Sequence, residues 1–172
     1  MVYHLLLLYA ATVVFGCYRG ALLYSKSQEA SLLVRENKNA EALVRLQDVR
    51  KLNESLQIES VTQDYYTQTA GMHLAIGSAE AAFCAIDSLR QVITGDFGHE
   101  KIGDIFFAGE KWRECVVEYL LQMAVTSPDT TLLRKISYAH IRLKNTAALS
   151  GLIDTYGNDS LPEPTDYGDC IF

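Results

Sequence analysis

Apolar residues recur along this chain at helical spacing. Leu43, Leu46, Val49, Leu52 and Leu56 follow one another at three and four positions, as one face of a helix does. Leu74, Ala81, Ala85 and Leu89 form a similar face, and Val116, Tyr119, Leu120 and Met123 another. Stretches of strict apolar–polar alternation bounded by Gly or Pro turns, which would announce strands, are not evident. The pattern predicts an all-α chain.

A longer period overlies the short one. Gly71, Gly103 and Ser137 are small residues 32 and then 34 positions apart, each followed after three positions by a larger side chain, Leu74, Phe106 or His140. Gly77, Gly109 and Leu143 form a second ladder with the same spacing. Two helices with two tight turns require about this length, and 34 residues is a solenoid period. Small residues let a neighbouring helix approach, and the apolar residues after them fill the seam. The competing reading is three unrelated amphipathic helix pairs.

The stretch 102–128 carries the clearest copy. Ile102-Gly103, Phe106, Cys115 and Tyr119 resemble the tetratricopeptide repeat family at its Leu-Gly pair, first-helix aromatic, small second-helix residue and second-helix aromatic. Pro128 falls one residue late, and Gly109 sits one residue early before Trp112. A copy around Gly71 offers Ala70, Leu74 and Phe83 at the corresponding places, and one around Ser137 offers Ile136, His140 and Leu149. Upstream, Asn39-Ala40-Glu41-Ala42 echoes Ser78-Ala79-Glu80-Ala81, and Asp48 matches Asp87. The resemblance covers roughly residues 60–155, and 27–58 only weakly. It implies antiparallel helical hairpins stacked as an α-solenoid over 59–156, preceded at 25–58 by linker helices or a degenerate first hairpin.

Residues 1–18 hold no Lys, Arg, Asp or Glu, and Leu5-Leu6-Leu7-Leu8 continues through Ala10, Val13, Val14 and Phe15. As a helix, such a run spans about 27 Å, near the minimum for a bilayer core. A cleaved signal peptide would want a basic start, which is missing. A lipoprotein signal would use Cys17, and a short run could also be a buried core helix. The expectation is a single-span anchor at 1–24. Arg19, Lys26, Arg35 and Lys38 follow it closely, so the positive-inside rule places the repeat domain on the cytoplasmic or mitochondrial matrix side. An ordinary solvated helix surface would explain those charges equally well.

Composition allows one helical domain plus appendages: 172 residues, 49% hydrophobic, three prolines. A net charge of −6 and a pI near 5.2 disfavour nucleic acid, which needs a basic field. Cys84 and Cys115 read as reduced core residues, Cys17 as lipid-facing or acylated, and Cys170 misses a prenylation pattern by one position. His4, His73, His99 and His140 are scattered, and His99-Glu100 lacks a second histidine for a metalloprotease helix. Asp96-Phe97-Gly98 stands without any other kinase element and reads as an inter-repeat turn. Asn53-Glu54-Ser55 and Asn158-Asp159-Ser160 match the glycosylation sequon. These residues assign no catalytic, metal or cofactor site, no small-molecule substrate, and no enzyme activity.

The family resemblance locates a face instead. First helices of successive repeats line a groove there, and the matching positions are Gln68 and Met72, then Glu100, Asp104 and Phe107, then Arg134, Tyr138 and Arg142. The Lys/Asn carboxylate clamp of chaperone-binding members has no counterpart among them. Residues 157–172, with Pro162, Pro164 and four acids, cannot continue a helix, so an extended tail is expected, with Ile171 and Phe172 as anchors on a partner. The functional expectation is a non-catalytic, membrane-anchored scaffold or accessory subunit of a multi-subunit membrane complex. Its partners would be other protein subunits and the lipid bilayer. The alternative is an assembly factor or targeting receptor that binds client segments transiently in the groove.

Overall fold

The computed structural model describes residues 2–127 and 129–156, with side chains from residue 11 onward. Pro128 and the tail at 157–172, including Ile171, Phe172, Asn158 and Cys170, lie outside the described residues. Within them the fold is all-α: α1 (Val2–Arg35), α2 (Asn39–Leu56), α3 (Glu59–Ala75), α4 (Ala79–Val92), α5 (Gly98–Ala108), α6 (Trp112–Val125), α7 (Thr130–Arg142) and α8 (Thr146–Tyr156). No strand occurs among the described residues. Two compact units divide the chain, one ending at Val92 and the other beginning at Ile93. Each holds two hairpins, α1/α2 and α3/α4 in the first, α5/α6 and α7/α8 in the second.

All four hairpins close with the same turn. Asn37, Gly77, Glu110 and Lys144 adopt left-handed backbone, with φ of 59°, 78°, 56° and 57°. Their N–H groups donate three residues back, to the carbonyls of Val34, Leu74, Phe107 and Ile141, at 2.9–3.1 Å. The next N–H donates five residues back, from Lys38, Ser78, Lys111 and Asn145 to Leu33, His73, Phe106 and His140, at 2.8–2.9 Å. This is the Schellman pattern, which satisfies carbonyls that the helix end would leave open. The same four residues then accept the first bond of the following helix, from Ala42, Ala82, Cys115 and Leu149. One residue therefore ends one helix and starts the next, which fixes the tight reversal.

The turns define a register of 40, 33 and 34 residues. Seven positions before each turn residue stand Ala30, Ala70, Gly103 and Ser137, all small and all buried. Nine positions after it stand Leu46, Ile86 and Tyr119, each almost wholly buried, which contributes about 1.5–3 kcal/mol per side chain. This corrects the ladder read from glycines. Gly71 is one residue out of register and Ala70 holds the buried place; likewise Ala82, not Phe83, corresponds to Cys115, and Phe83 is exposed. Gly109 and Leu143 precede their turn residues, whereas Gly77 is one.

Two other expectations are corrected. Cys84 is exposed whereas Cys115 is buried, because Cys84 points away from the Ala82, Ala85, Ile86 and Leu89 face of α4. Leu120 is exposed on α6, whose inner face is Cys115, Val116, Tyr119 and Gln122. Asn53, the first sequon asparagine, is buried: its amide donates to the Ile58 carbonyl at 3.0 Å and to Thr62 Oγ1 at 2.8 Å, and its Oδ1 accepts from the Ile58 N–H at 3.0 Å. It holds the α2–α3 junction and is not free to carry a sugar.

Among the described residues no helix is long and apolar enough to cross a membrane, so the spanning helix expected at 1–24 is unsupported there. The side chains of the Leu5–Leu8 run lie outside those residues. No break separates an anchor from a domain at residue 24, since α1 runs uninterrupted to Arg35 and packs Leu23 and Ala30 into the first unit.

Candidate functional site

The second unit brings five of the expected groove residues into one network. Glu100 and Asp104 lie one turn apart on α5. Lys135 of α7 reaches both: its Nζ donates to Glu100 Oε1 at 3.0 Å and to Asp104 Oδ1 at 2.7 Å. Tyr119 of α6 donates its hydroxyl to the same Asp104 oxygen at 2.6 Å. Burial disfavours the charged form of Lys135, but its hydrogen bonds to Asp104 and Glu100 outweigh that and raise its pKa. Burial, reinforced by the Asp104 carboxylate, drives the Tyr119 phenol far up. Lys135 therefore stays protonated at neutral pH, and Tyr119 stays a donor.

Beside this charge cluster is an aromatic one. Phe107 stands edge-on to Trp112 at 5.4 Å and tilted to Tyr138 at 5.5 Å, while Trp112 and Tyr138 are 5.7 Å apart. Arg142 lays its guanidinium 5.4 Å over the Trp112 ring. Such pairs add about 0.5–1.5 kcal/mol each beyond burial, so the rings are fixed relative to one another. Arg134, one turn before Tyr138 on α7, projects into solvent.

The first unit departs from expectation. Met72 is 2% exposed and packs with Ala30, Ala42, Leu46 and Tyr65, so it is core and lines no groove. Gln68 lines a cleft of about 390 Å³ between α1, α2 and α3. By the turn register, Glu100 and Asp104 correspond to Thr67 and Gly71, and the slip of one residue that misplaced Gly71 also misplaced the groove. Sequence reasoning missed Lys135 and Trp112. Their partners come from other helices, and nothing in local spacing announces a pairing across 31 or 35 residues.

Chemically the arrangement offers fixed donors, acceptors and aromatic faces. The Cys115 thiol is pushed up to about 12 by burial and is no nucleophile near neutral pH. His140 is lowered by burial, and its Nδ1 has no hydrogen-bond partner. His99 Nδ1 lies 2.8 Å from Glu118 Oε2, a carboxylate almost wholly buried on α6. Among the described residues no group of three or more His, Cys, Asp or Glu side chains could hold a metal ion. No family model matches the chain, and no curated protein and no solved structure matches it.

Proposed function

We propose that this chain is a tetratricopeptide-like helical-repeat protein that acts as a non-catalytic, membrane-anchored scaffold or accessory subunit, through contacts with other protein subunits. One observation carries the reading. Four hairpins share the same hydrogen-bonded turn, with a small buried residue seven positions before it and, in three, a large buried residue nine positions after. Repetition of this kind builds extended surfaces rather than a single reaction centre. The fixed aromatic and charged face of α5, α6 and α7 supports protein binding, because preorganised rings and arginines lose little entropy on contact. Apolar residues from 2 to 18 support the anchor. The repeat units then lie on the cytoplasmic or matrix side, by the basic residues that follow.

The deciding experiment is affinity purification of the full chain in mild detergent, with mass spectrometry of what accompanies it. Fixed stoichiometry that survives detergent exchange supports a permanent subunit. Substoichiometric, exchangeable partners support the transient client-binding reading. Quantitative release of the full chain from membranes by carbonate refutes the anchor.

A further inference from the structure

The described part of α1 is exposed on every side before it meets the rest of the first unit. Each residue from 11 to 18 is exposed, and successive side chains on a helix are turned by about 100°, so no direction around this collar is covered. Val14 and Phe15 are 68% and 59% exposed, and Val13 and Tyr18 join them. A partner helix or groove would cover one side only. Ala11, Val13, Val14, Phe15, Cys17 and Tyr18 cover more than half of the circumference and only the uncharged Thr12 and Gly16 face the rest, which suits a medium that surrounds the helix.

Charge at its lower edge points the same way. Residues 1–28 contain no Asp or Glu, although the chain has 21 of them. Arg19 follows the collar immediately, its guanidinium folded back to 5.2 Å over the Phe15 ring. Lys26 is already paired with Glu29 at 2.9 Å, so Arg19 is the basic group this edge offers. Tyrosines at 18 and 24 flank it, both exposed. An aromatic belt with an arginine whose stem lies along apolar surface is the pattern of a bilayer–water boundary. Leu23, the first buried residue of α1 among those whose side chains are described, comes five residues after Tyr18, about 8 Å along the axis. The headgroup layer is only about 5–8 Å thick on each side.

From this juxtaposition we infer that the collar of residues 11–18 lies in the bilayer and that the first unit is seated directly on the headgroups, α1 joining the two as one rod without a joint. The inference rests on the anchor reading and adds to it the depth and rigidity of attachment. It makes the membrane surface, and not a tether length, the element that sets where the first unit stands.

The test uses the full chain with Cys17, Cys84 and Cys170 replaced by serine. Single environment-sensitive labels go at Phe15→Cys, Tyr18→Cys, Tyr24→Cys and Gln28→Cys, in phosphatidylcholine vesicles containing phosphatidylserine. The expected order is strong protection from an aqueous quencher at 15, intermediate at 18 and 24, and open access at 28. Inserting a flexible Gly-Ser segment between Gly20 and Ala21 should leave 15 protected and open 24 fully. If 15 is protected but 24 is already fully open without the insertion, the seating is overturned while the anchor stands. If the chain floats with vesicles yet 15 is open, the collar placement is overturned. If the chain does not float, the anchor reading falls and the inference with it.

Discussion

Gly71 and Gly103 look interchangeable in the sequence, and the structure gives them opposite consequences. At Gly103 a Cβ would run into the ring of Tyr119. That ring cannot swing aside freely, because it is wholly buried and its hydroxyl donates to Asp104 at 2.6 Å. Gly103→Ala gains about 1 kcal/mol of helix propensity. Against this stand about 1–3 kcal/mol of overpacking and, if the ring shifts, about 1.5–3 kcal/mol for the hydrogen bond to a carboxylate. With the ring displaced, the net expectation is a loss of roughly 1.5–5 kcal/mol. At Gly71 an added Cβ meets nothing within 4 Å, so Gly71→Ala should gain about 1 kcal/mol.

The single tryptophan, Trp112, lies in the second unit, so its fluorescence during urea unfolding follows the Gly103 variant. Far-UV circular dichroism follows the Gly71 variant in the first unit. A Gly103→Ala protein as stable as the parent would refute the close packing of α5 on α6. Equal losses at both positions would refute the turn register.

Phe106 is 2% exposed, and Phe106→Ala should cost about 3–5 kcal/mol, read as a lowered urea midpoint by Trp112 fluorescence; a change below about 1 kcal/mol would contradict its burial. Glu110 and Lys144 hold left-handed backbone that costs an L-residue about 1–2 kcal/mol, so Glu110→Gly and Lys144→Gly should each stabilise by about 0.5–1 kcal/mol, and a loss at both would contradict the turn. His140 has a folded-state pKa lowered by burial, so the unfolded chain takes up a proton that the folded one resists. Its contribution is full above the unfolded value near 6.5 and is lost as pH falls through that value towards the folded one. His140→Phe should therefore lose less stability than the parent between neutral and mildly acidic pH, and parallel pH curves would count against this.

Helix as the fold class was readable because its signal is local: Leu46 and Val49 are buried, and Leu43, Leu52 and Leu56 partly so, on the face their spacing marks. The step from the third to the fourth hairpin was readable too, since Gly103 and Ser137 both sit seven residues before their turns. The second hairpin departs from the glycine ladder because Ala70, beside Gly71, takes the small buried place, and the real step is 33 residues rather than 32. Only the turn conformation, with Gly77 at positive φ, separates Ala70 from Gly71. In the candidate face, Glu100, Asp104, Phe107, Arg134, Tyr138 and Arg142 were placed from the best-preserved copies. Lys135, which bridges the two carboxylates, depends on how α7 lies on α5, a tertiary fact with no local trace.

Ile153 shows what position in the array does to a residue of the right kind. It stands nine residues after Lys144, where the other hairpins bury Leu46, Ile86 and Tyr119, yet it is 47% exposed. The side chain is as apolar as its counterparts, so the difference lies in what surrounds it. α4, which buries Ile86, lies along α3 in the most extensive contact within any hairpin, whereas α8 meets α7 in the slightest. In a repeat array each helix is covered only by what lies next to it. The slight contact with α7 also accounts for α8 having no buried residue although Leu149, Leu152 and Tyr156 share it. Local sequence decides that α8 is helical and amphipathic; whether its apolar face is covered is decided by what packs next to it.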